Sequence, residues 1–320
     1  MTESDKMPFE MVMFYNVENL FLPDPKPMHH RDPTFSGLRN WDERKYTGKL
    51  HKIAHVFNLI AEEKNQLPML VGLSEIQGDK PLQDLINLPP LKDKYAIVHY
   101  ESMDERGVDV ALLYDKSKIE ILSSEPISFV FEIEDDNPEN YDTTRDILHC
   151  RVKFKDSIIN VFVFHLPSKR EHDVNRPKRI YIVNEIKERI SKILESPDEA
   201  VILCGDFNEN PDDENLNKLL YDDKFNKILN NPYLDIYNNK IFSTFHYKDG
   251  LLFDQIIFSN HFLEENFSLL YNSAVVFKPE KISNWDKKFL GRPFRTYAGT
   301  RYLGGYSDHF PVIVEFVINY

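Results

Sequence analysis

Acidic, amide and imidazole side chains stand at the ends of several apolar segments of this sequence. Glu75 ends MLVGLSE, His165 follows IINVFVF and Asp206 follows AVILCG, whereas Asp254 and Asp308-His309 come just before other apolar segments. Ligand sites of layered α/β proteins lie beyond the carboxyl ends of strands, and an antiparallel strand brings its start to the same edge. The sequence therefore predicts one site at one rim, formed by Asn16, Glu75, His165, Asp206, Asn208, Asp254, Asp308 and His309.

The carboxylates of this rim predict a bound metal ion. Carboxylates that lie close together repel each other unless a divalent cation lies among them. The amide of Asn16 and the carboxylates of Glu75 and Asp308 offer oxygen ligands only. Because oxygen ligands suit hard ions better than zinc, we expect Mg²⁺ or Mn²⁺ at these three residues.

The remaining side chains of the rim suit hydrolysis of a phosphodiester. His165 and Asn208 can bind the non-bridging phosphate oxygens. His309 can position or deprotonate an attacking water, oriented by a carboxylate such as Asp254. We expect a solvated rim, so that replacing His309 or Asp206 leaves folding intact.

Apolar segments that are typical of strands alternate with helical patterns. The helical patterns run from Arg44 to Glu62 and from Val174 to Leu194, with apolar residues at a spacing of three to four. Residues 23–41 contain four prolines and are expected to form a surface loop. A mixed α/β protein with two packed sheets and outer helices follows. The strand segments are MVMFYNV, MLVGLSE, YAIVHY, VDVALLY, ILHCRVKF, IINVFVFHL, AVILCGDF, FDQIIFS and PVIVEFV.

The charge of the chain limits how it can hold an anionic substrate. Lys and Arg total 39 against 52 for Asp and Glu, a net charge of -13, which repels nucleic acid at long range. One segment, residues 275–306, is basic and aromatic, and it is either a wall for the substrate or an ordinary structural excursion. As a wall, it would contact the substrate through Arg292, Arg295 and Arg301.

The two cysteines, the N-terminus and the hydropathy predict the cellular location. Cys150 and Cys204 lie within apolar segments, which favours two reduced core thiols. We expect no signal peptide, and no apolar segment approaches the length of a membrane span. A cytoplasmic protein is the expectation.

Six segments resemble the signature motifs of the endonuclease/exonuclease/phosphatase superfamily, in the order of that family. They are FYNVENLF at 14–21, GLSEIQ at 72–77, RGVDVALLYD at 106–115, FHLPSK at 164–169, GDFNENP at 205–211 and YSDHFPV at 306–312. The superfamily includes pancreatic-type deoxyribonucleases, apurinic/apyrimidinic endonucleases, inositol polyphosphate 5-phosphatases and neutral sphingomyelinases. The resemblance spans nearly the whole chain.

The resemblance implies a single catalytic domain over residues 1–320, folded as an α/β (α+β) four-layered αββα sandwich of two mixed β-sheets flanked by helices. It implies that Glu75, helped by Asn16 and Asp308, binds the metal. It assigns Asn208 and His165 to the phosphate, and the pair Asp254–His309 to general-base or electrostatic work. Asp206 is assigned to the attacking water, with its division of labour with His309 left open. Arg145 falls where some family nucleases place a phosphate-contacting arginine.

The function expected from these residues is metal-dependent phosphodiester hydrolysis, with nucleic acid as the leading substrate. The alternative is a phosphoesterase acting on a small or lipid-linked phosphate ester, of the inositol phosphate or sphingomyelin type. A binding protein without catalysis is disfavoured because every matched position holds a competent residue. Glu18 is either a buried acid behind the site or a solvated loop charge. No protein partner is inferred.

Overall fold

Apolar strands that are buried on both faces form the centre of the fold. The protein is described by a computed structural model over residues 7–23, 38, 40–104, 106–132, 141–169 and 172–319. The first sheet has six strands, of which one neighbouring pair is parallel and the others are antiparallel. In spatial order they are β15 (Leu269–Val276), β18 (Val312–Ile318), β1 (Phe9–Leu20), β2 (Leu70–Ile76), β4 (Asp109–Asp115) and β3 (Tyr95–His99).

The second sheet also has six strands and is mixed in the same way. Its parallel pair is β9 with β10, and its other neighbours are antiparallel. In spatial order the strands are β11 (Leu229–Asn230), β14 (Asp254–Ser259), β10 (Glu199–Asp206), β9 (Ser157–His165), β8 (Ile147–Phe154) and β5 (Ile119–Ile127). Three short hairpins complete the strands: β6 (Val130–Glu132) with β7 (Tyr141–Thr143), β12 (Thr244–His246) with β13 (Asp249–Leu251), and β16 (Tyr297–Ala298) with β17 (Arg301–Tyr302).

The two sheets pack face to face through apolar side chains. A glycine is required where β2 and β10 approach, because a Cβ at Gly72 would lie 2.8 Å from the sulfur of Cys204. Cys150 and Cys204 are both buried and free, as predicted. This close approach brings the carboxyl ends of the central strands of both sheets to one edge.

Helices cover the outer faces of the two sheets. On the first sheet lie α1 (Glu43–Lys64) and α2 (Asp79–Ile86), and on the second lie α3 (Arg176–Ile193) and α4 (Glu214–Leu219). Helix α1 begins at Asp42, whose side chain accepts a hydrogen bond from the Lys45 N–H. Four apolar side chains of α3 are buried against the second sheet, and each contributes roughly 1.5–3 kcal/mol: Ile182, Val183, Ile186 and Ile190. A further short helix, α5 (Tyr233–Asn238), lies beside β15.

The predicted four-layered sandwich is confirmed, and both predicted helices are present with bounds shifted by one or two residues. The predicted loop at residues 23–41 lies mostly outside the described residues. Within the described parts of the chain, no helix is long and apolar enough to cross a membrane.

Candidate active site

Three of the predicted side chains lie side by side at one edge of the second sheet. The parallel strands β9 and β10 end at His165 and Asp206, which are cross-strand partners. Strand β14 is antiparallel to β10 and begins at Asp254, which is paired in register with Asp206. The start of the antiparallel strand therefore reaches the same edge as the ends of its neighbours, as predicted.

The first sheet contributes Asn16 and Glu75 through irregular backbone. Strand β1 has a bulge that follows Asn16, and β2 has one at Glu75, whose φ is 66°. A non-glycine residue in this left-handed region is strained, and such residues concentrate at functional sites. The Asn19 N–H donates to Glu75 Oε2 at 2.9 Å, and Asn16 Nδ2 donates to Asp206 Oδ2 at 3.1 Å. The second bond joins the two sheets at the site.

His309 is held by a buried carboxylate. Its Nδ1 lies 2.7 Å from Oδ2 of Asp254, which also accepts a hydrogen bond from the Ser243 hydroxyl. Burial alone would lower the pKa of His309, but the carboxylates of Asp254, Asp308 and Asp206 outweigh it and raise that pKa well above the value of a free imidazole. The imidazolium form is therefore favoured, with Nε2 directed away from Asp254.

Asp206 lies between two histidines. Its Oδ2 is 3.9 Å from Nε2 of His309 and 3.9 Å from Nε2 of His165. These gaps exceed a direct hydrogen bond, but an oxygen atom of a water or phosphate can lie within hydrogen-bonding distance of both sides. Burial and the nearby Asp254 raise the pKa of Asp206 to about 7.

Asn208 is positioned by the turn that follows β10. Its φ is 52°, its N–H donates to Asp206 Oδ1 at 2.9 Å, and its Nδ2 donates to the Leu166 carbonyl at 2.8 Å. His165 lies nearby, with Nε2 3.8 Å from Glu75 Oε1. The two residues predicted to bind phosphate oxygens are thus fixed beside Asp206.

Asp308 is paired with one of the arginines predicted to bind substrate. Arg295 Nη2 donates to Asp308 Oδ2 at 2.6 Å, while Asp308 Oδ1 lies 3.9 Å from His309 Nε2. Burial would raise the pKa of Asp308, but His309 and Arg295 lower it below its usual value. Arg295 is therefore paired with a side chain of the site, and its predicted contact with substrate stays a prediction.

The other predicted substrate-binding arginines lie in three different environments. Arg145 is buried, with Nε 3.7 Å from an oxygen of Asp104. Arg292 donates to the Tyr247 carbonyl, and Arg301 is exposed in the β16–β17 hairpin. The structure does not bring these three together, and their roles stay predictions.

We expected the side chains of the rim to be solvated, but the structure shows two of its carboxylates to be buried. Asp206 is 3% exposed and Asp254 is fully buried, since the loops that carry Asn208 and His309 close over them. Replacements at these two positions must therefore keep the shape of the side chain.

Two buried charged residues lie behind the site. Lys49 was not predicted from the sequence, and Glu18 had been left between two alternatives. Lys49 of α1 donates from Nζ to Thr296 Oγ1 at 2.6 Å and to the Tyr306 carbonyl. Glu18 accepts from the Thr296 N–H at 2.6 Å and the Tyr297 N–H at 3.1 Å. Burial lowers the pKa of Lys49 to about 8 and raises that of Glu18 to about 7. Glu18 is thus the buried acid of the two alternatives, and both side chains fasten the chain that leads to Asp308.

The sequence carried a signal for Lys49. It lies on the apolar face of α1 between Tyr46 and Ile53, where a lysine is out of place unless it is paired. Nothing near it in sequence identifies Thr296 or Glu18 as its surroundings, because these residues are about 250 and 30 positions away.

The substitution Lys49→Met is expected to lower the free energy of unfolding by about 3 kcal/mol, because it removes one of the two cations, Lys49 and Arg295, that offset the charge of the buried Glu18 carboxylate. Urea unfolding followed by circular dichroism measures this. Lys92→Met, at an exposed position, is the control and should change stability by less than about 0.5 kcal/mol. Adding Glu18→Gln to Lys49→Met should recover part of the loss, and a double variant that loses the full sum would contradict the coupling.

A second buried network joins the two loops of the phosphate-binding side. Arg179 of α3 and Glu209 are both fully buried, and Arg179 Nε donates to Glu209 Oε1 at 2.9 Å. Arg179 also donates to the Pro167 carbonyl at 3.0 Å and to Asp173 at 2.6 Å, and Asn215 donates to Glu209 at 3.0 Å. The loop after His165 is thereby bound to the loop after Asp206. The signal in the sequence was an arginine within the apolar pattern of α3.

A family model described as "Endonuclease/Exonuclease/phosphatase family" matches residues 11–317. The chain belongs to the endonuclease/exonuclease/phosphatase family. It is accordingly a hydrolase that acts on phosphate esters, and enzymes of this family generally depend on a divalent metal. No curated protein matches the chain.

Solved structures of this fold include both a DNA complex and a phosphatase. D. rerio TDP2 complexed with single strand DNA product is 14% identical with a TM-score of 0.59, covering 96% of this chain and 98% of that one. The mannosyl-6-phosphatase Bt3783 of Bacteroides thetaiotaomicron is 17% identical with a TM-score of 0.59, covering 97% and 100%. The human Nocturnin catalytic domain with bound sulfate anion is 16% identical with a TM-score of 0.54, covering 98% and 96%. At these identities the likeness shows the fold of the endonuclease/exonuclease/phosphatase family and not the substrate.

Two of the three predicted ligands, Glu75 and Asp308, suit the divalent metal of the endonuclease/exonuclease/phosphatase family, whereas Oδ1 of the third, Asn16, accepts a hydrogen bond from the Glu18 N–H at 3.0 Å. Glu75 uses Oε2 for the Asn19 N–H, and Asp308 uses Oδ2 for Arg295. Their other oxygens lie 3.8 Å and 3.9 Å from the nearest histidine nitrogens, beyond hydrogen-bonding distance. Each carboxylate therefore has an oxygen that can ligate a hard cation.

A second cluster at the same edge is less suited to a metal. Ligand atoms of Asp206, Asp254 and His309 lie within 4.8 Å of one another. The Nδ1 of His309 is already hydrogen-bonded to Asp254, and the raised pKa favours a proton on Nε2. A protonated nitrogen cannot ligate a metal, and the cluster is in that state suited to proton transfer.

Proposed function

We propose that this protein is a Mg²⁺- or Mn²⁺-dependent phosphodiesterase whose natural substrate is nucleic acid, with Asn16, Glu75 and Asp308 as the metal ligands. The observation that carries the proposal is the gap between Asp206 Oδ2 and His309 Nε2. Across this gap, the carboxyl group of Asp206, whose pKa is about 7, faces the imidazole of His309, which is fixed by the buried carboxylate of Asp254. Such a pair suits the attack of water on a phosphate at neutral pH.

In the proposed reaction, Asp206 accepts the proton of the attacking water. His309, kept cationic by Asp254, donates a hydrogen bond from Nε2 to the phosphate as negative charge develops. His165 and Asn208 orient the non-bridging oxygens from the opposite side. A divalent cation at the ligand set supplies polarisation of the phosphate and stabilisation of the leaving oxygen.

Two considerations favour nucleic acid as the substrate. The basic and aromatic segment 275–306 begins and ends beside the site, through Val276 and Tyr306. The similarity in fold to D. rerio TDP2 in complex with single strand DNA product supports the same choice. The alternative of a small or lipid-linked phosphate ester is supported by the equal similarity to the mannosyl-6-phosphatase.

Two further expectations belong to the proposal. Residues 1–320 form one catalytic domain, consistent with the family match over residues 11–317 and with apolar contacts between the two sheets. A cytoplasmic location is favoured by the two free, buried thiols.

A substrate panel tests the proposal. With Mg²⁺ present, kcat/KM should be at least about tenfold higher for single-stranded oligonucleotides or plasmid DNA than for inositol phosphates or sphingomyelin. Bis-p-nitrophenyl phosphate, which needs no recognition outside the rim, reports the chemistry alone. Hydrolysis of lipid or sugar phosphates with no cleavage of nucleic acid would contradict the proposed substrate and support the alternative, a small or lipid-linked phosphate ester.

A further inference from the structure

Four exposed large side chains lie on two segments that Arg292 joins, Tyr247 on one and Trp285, Phe289 and Leu290 on the other, and we call them the apolar platform. Tyr247 is 84% exposed, Trp285 80% and Leu290 70%, and Phe289 is also exposed. Large apolar side chains that are grouped and exposed to this degree mark binding surfaces more often than ordinary surface.

Two separate segments build the apolar platform, and Arg292 joins them. Residues 284–292 form a closed loop, with the Asn284 N–H donating to the Arg292 carbonyl at 2.7 Å. The Arg292 side chain donates to the Tyr247 carbonyl, and its guanidinium lies 4.9 Å from the ring centre of Phe245 and 5.6 Å from that of Phe289. Arg292 therefore links the two segments of the apolar platform, and its predicted contact with substrate stays a prediction.

Both segments are attached to the reaction centre. Thr244 is paired with His309 as an isolated bridge, and its hydroxyl donates to the Asp308 carbonyl at 2.8 Å. Tyr247 follows Thr244 by three residues, a span of at most about 10 Å at ~3.3 Å per residue. On the other side, Arg295 pairs with Asp308 three residues after Arg292. The apolar platform thus begins within about 10 Å of the site, which is the length of about three stacked nucleotides at ~3.4 Å each.

The local charge is opposite to that of the whole chain. Lys248, Lys287, Lys288 and Arg292 lie on or beside the apolar platform against Asp249 and Asp286, four cationic side chains and two anionic ones, in a chain of net charge -13. Flat apolar side chains with interspersed cations suit unpaired bases and their phosphates. In a duplex the base faces are already covered by neighbouring bases.

We propose that the apolar platform binds single-stranded nucleic acid that extends from the scissile phosphate, with bases stacked on Trp285 and Tyr247. The inference rests on the proposed function and specifies the strand state of its substrate. A membrane surface is the competing occupant, but the anchoring of both segments to Asp308 and His309 favours a polymer that is threaded through the site.

Tryptophan fluorescence measures occupancy of the apolar platform directly. The sequence has two tryptophans, and Trp41 is 1% exposed, so a quencher in solution reports on Trp285. Without added metal, a 12-residue oligothymidylate should quench this emission saturably and more strongly than its duplex with oligoadenylate. Vesicles of phosphatidylserine or of sphingomyelin should leave it unchanged. Quenching or a blue shift with vesicles and none with the single strand would overturn the proposal.

Kinetics provide the second measurement. Trp285→Ala and Tyr247→Ala should each lower kcat/KM for the single strand by about tenfold while hydrolysis of bis-p-nitrophenyl phosphate stays unchanged. Phe225→Asn is the control, because Phe225 is 86% exposed outside the apolar platform and its φ of 62° accepts asparagine. Unchanged kcat/KM for the single strand in both variants would overturn the platform. Quenching by a strand that the enzyme does not cleave would instead count against the nuclease function alone.

Discussion

Replacement of His309 by alanine is expected to lower kcat for bis-p-nitrophenyl phosphate by about a thousandfold, the upper end of the range for losing a fixed donor to the negative charge that develops on the phosphate. The imidazole lies 3.9 Å from Asp206 Oδ2, across the gap proposed for the attacking water. Removing it also leaves the buried carboxylate of Asp254 without its partner at 2.7 Å. Asp254→Asn keeps the shape but weakens the cationic form of the imidazole, so we expect a loss of about a hundredfold.

The control for these variants lies at the other end of the same strand. His261 follows the end of β14, whose first residue is Asp254. Its ring is hydrogen-bonded to Ser259 and the Pro197 carbonyl and packs near Phe267. His261→Ala is therefore the control. It should retain full activity. Circular dichroism must show folded protein for all three variants, since Asp254 is buried. Near-normal turnover in both His309→Ala and Asp254→Asn would mean that this cluster does not carry out the reaction.

Much of the fold could be predicted because burial on both faces gives an unmistakable sequence pattern. Segments such as MLVGLSE and AVILCGDF are apolar at nearly every position, as required for strands covered by a helix layer and a second sheet. Strands β5 and β15 were missed because they lie at sheet edges. Their alternating polar residues, as in IEILSSEPI, resemble those of a loop.

The site could be predicted to the level of which residues share the rim. Polar residues at strand ends are visible in the sequence, and strand direction then brings Asp206 beside Asp254. The depth of burial could not be predicted, because it depends on the loops around Asn208 and His309 that fold back over the carboxylates.

In the basic segment 275–306, the partners of the arginine side chains could not be predicted from the sequence. Arg292, Arg295 and Arg301 look equivalent along the chain, yet one stacks on aromatic rings, one pairs with Asp308 and one is exposed. The charge of an arginine does not distinguish these roles, because each role depends on which side chains the folded loop places next to that arginine.

Removal of divalent metal is expected to lower the rate of hydrolysis at least about a hundredfold. Glu75 and Asp308 each keep a carboxylate oxygen outside hydrogen-bonding distance of the neighbouring histidine, which suits a cation at these positions. Glu75→Gln should therefore lower the rate at least a hundredfold at low Mg²⁺ and shift the Mg²⁺ requirement upward, because an amide is a weaker ligand for a hard ion. Glu120→Gln, at an exposed position of β5, is the matched control and should behave as the unmodified protein.

The most direct test of the account is the initial rate of bis-p-nitrophenyl phosphate hydrolysis by the unmodified protein in excess EDTA and after Mg²⁺ is added back beyond the chelator. The substrate is small, so the result does not depend on the apolar platform or on the choice of nucleic acid. We predict a rate at least about a hundredfold lower in EDTA, restored by Mg²⁺ or Mn²⁺. Full activity in excess chelator would contradict a metal-dependent site at Asn16, Glu75 and Asp308.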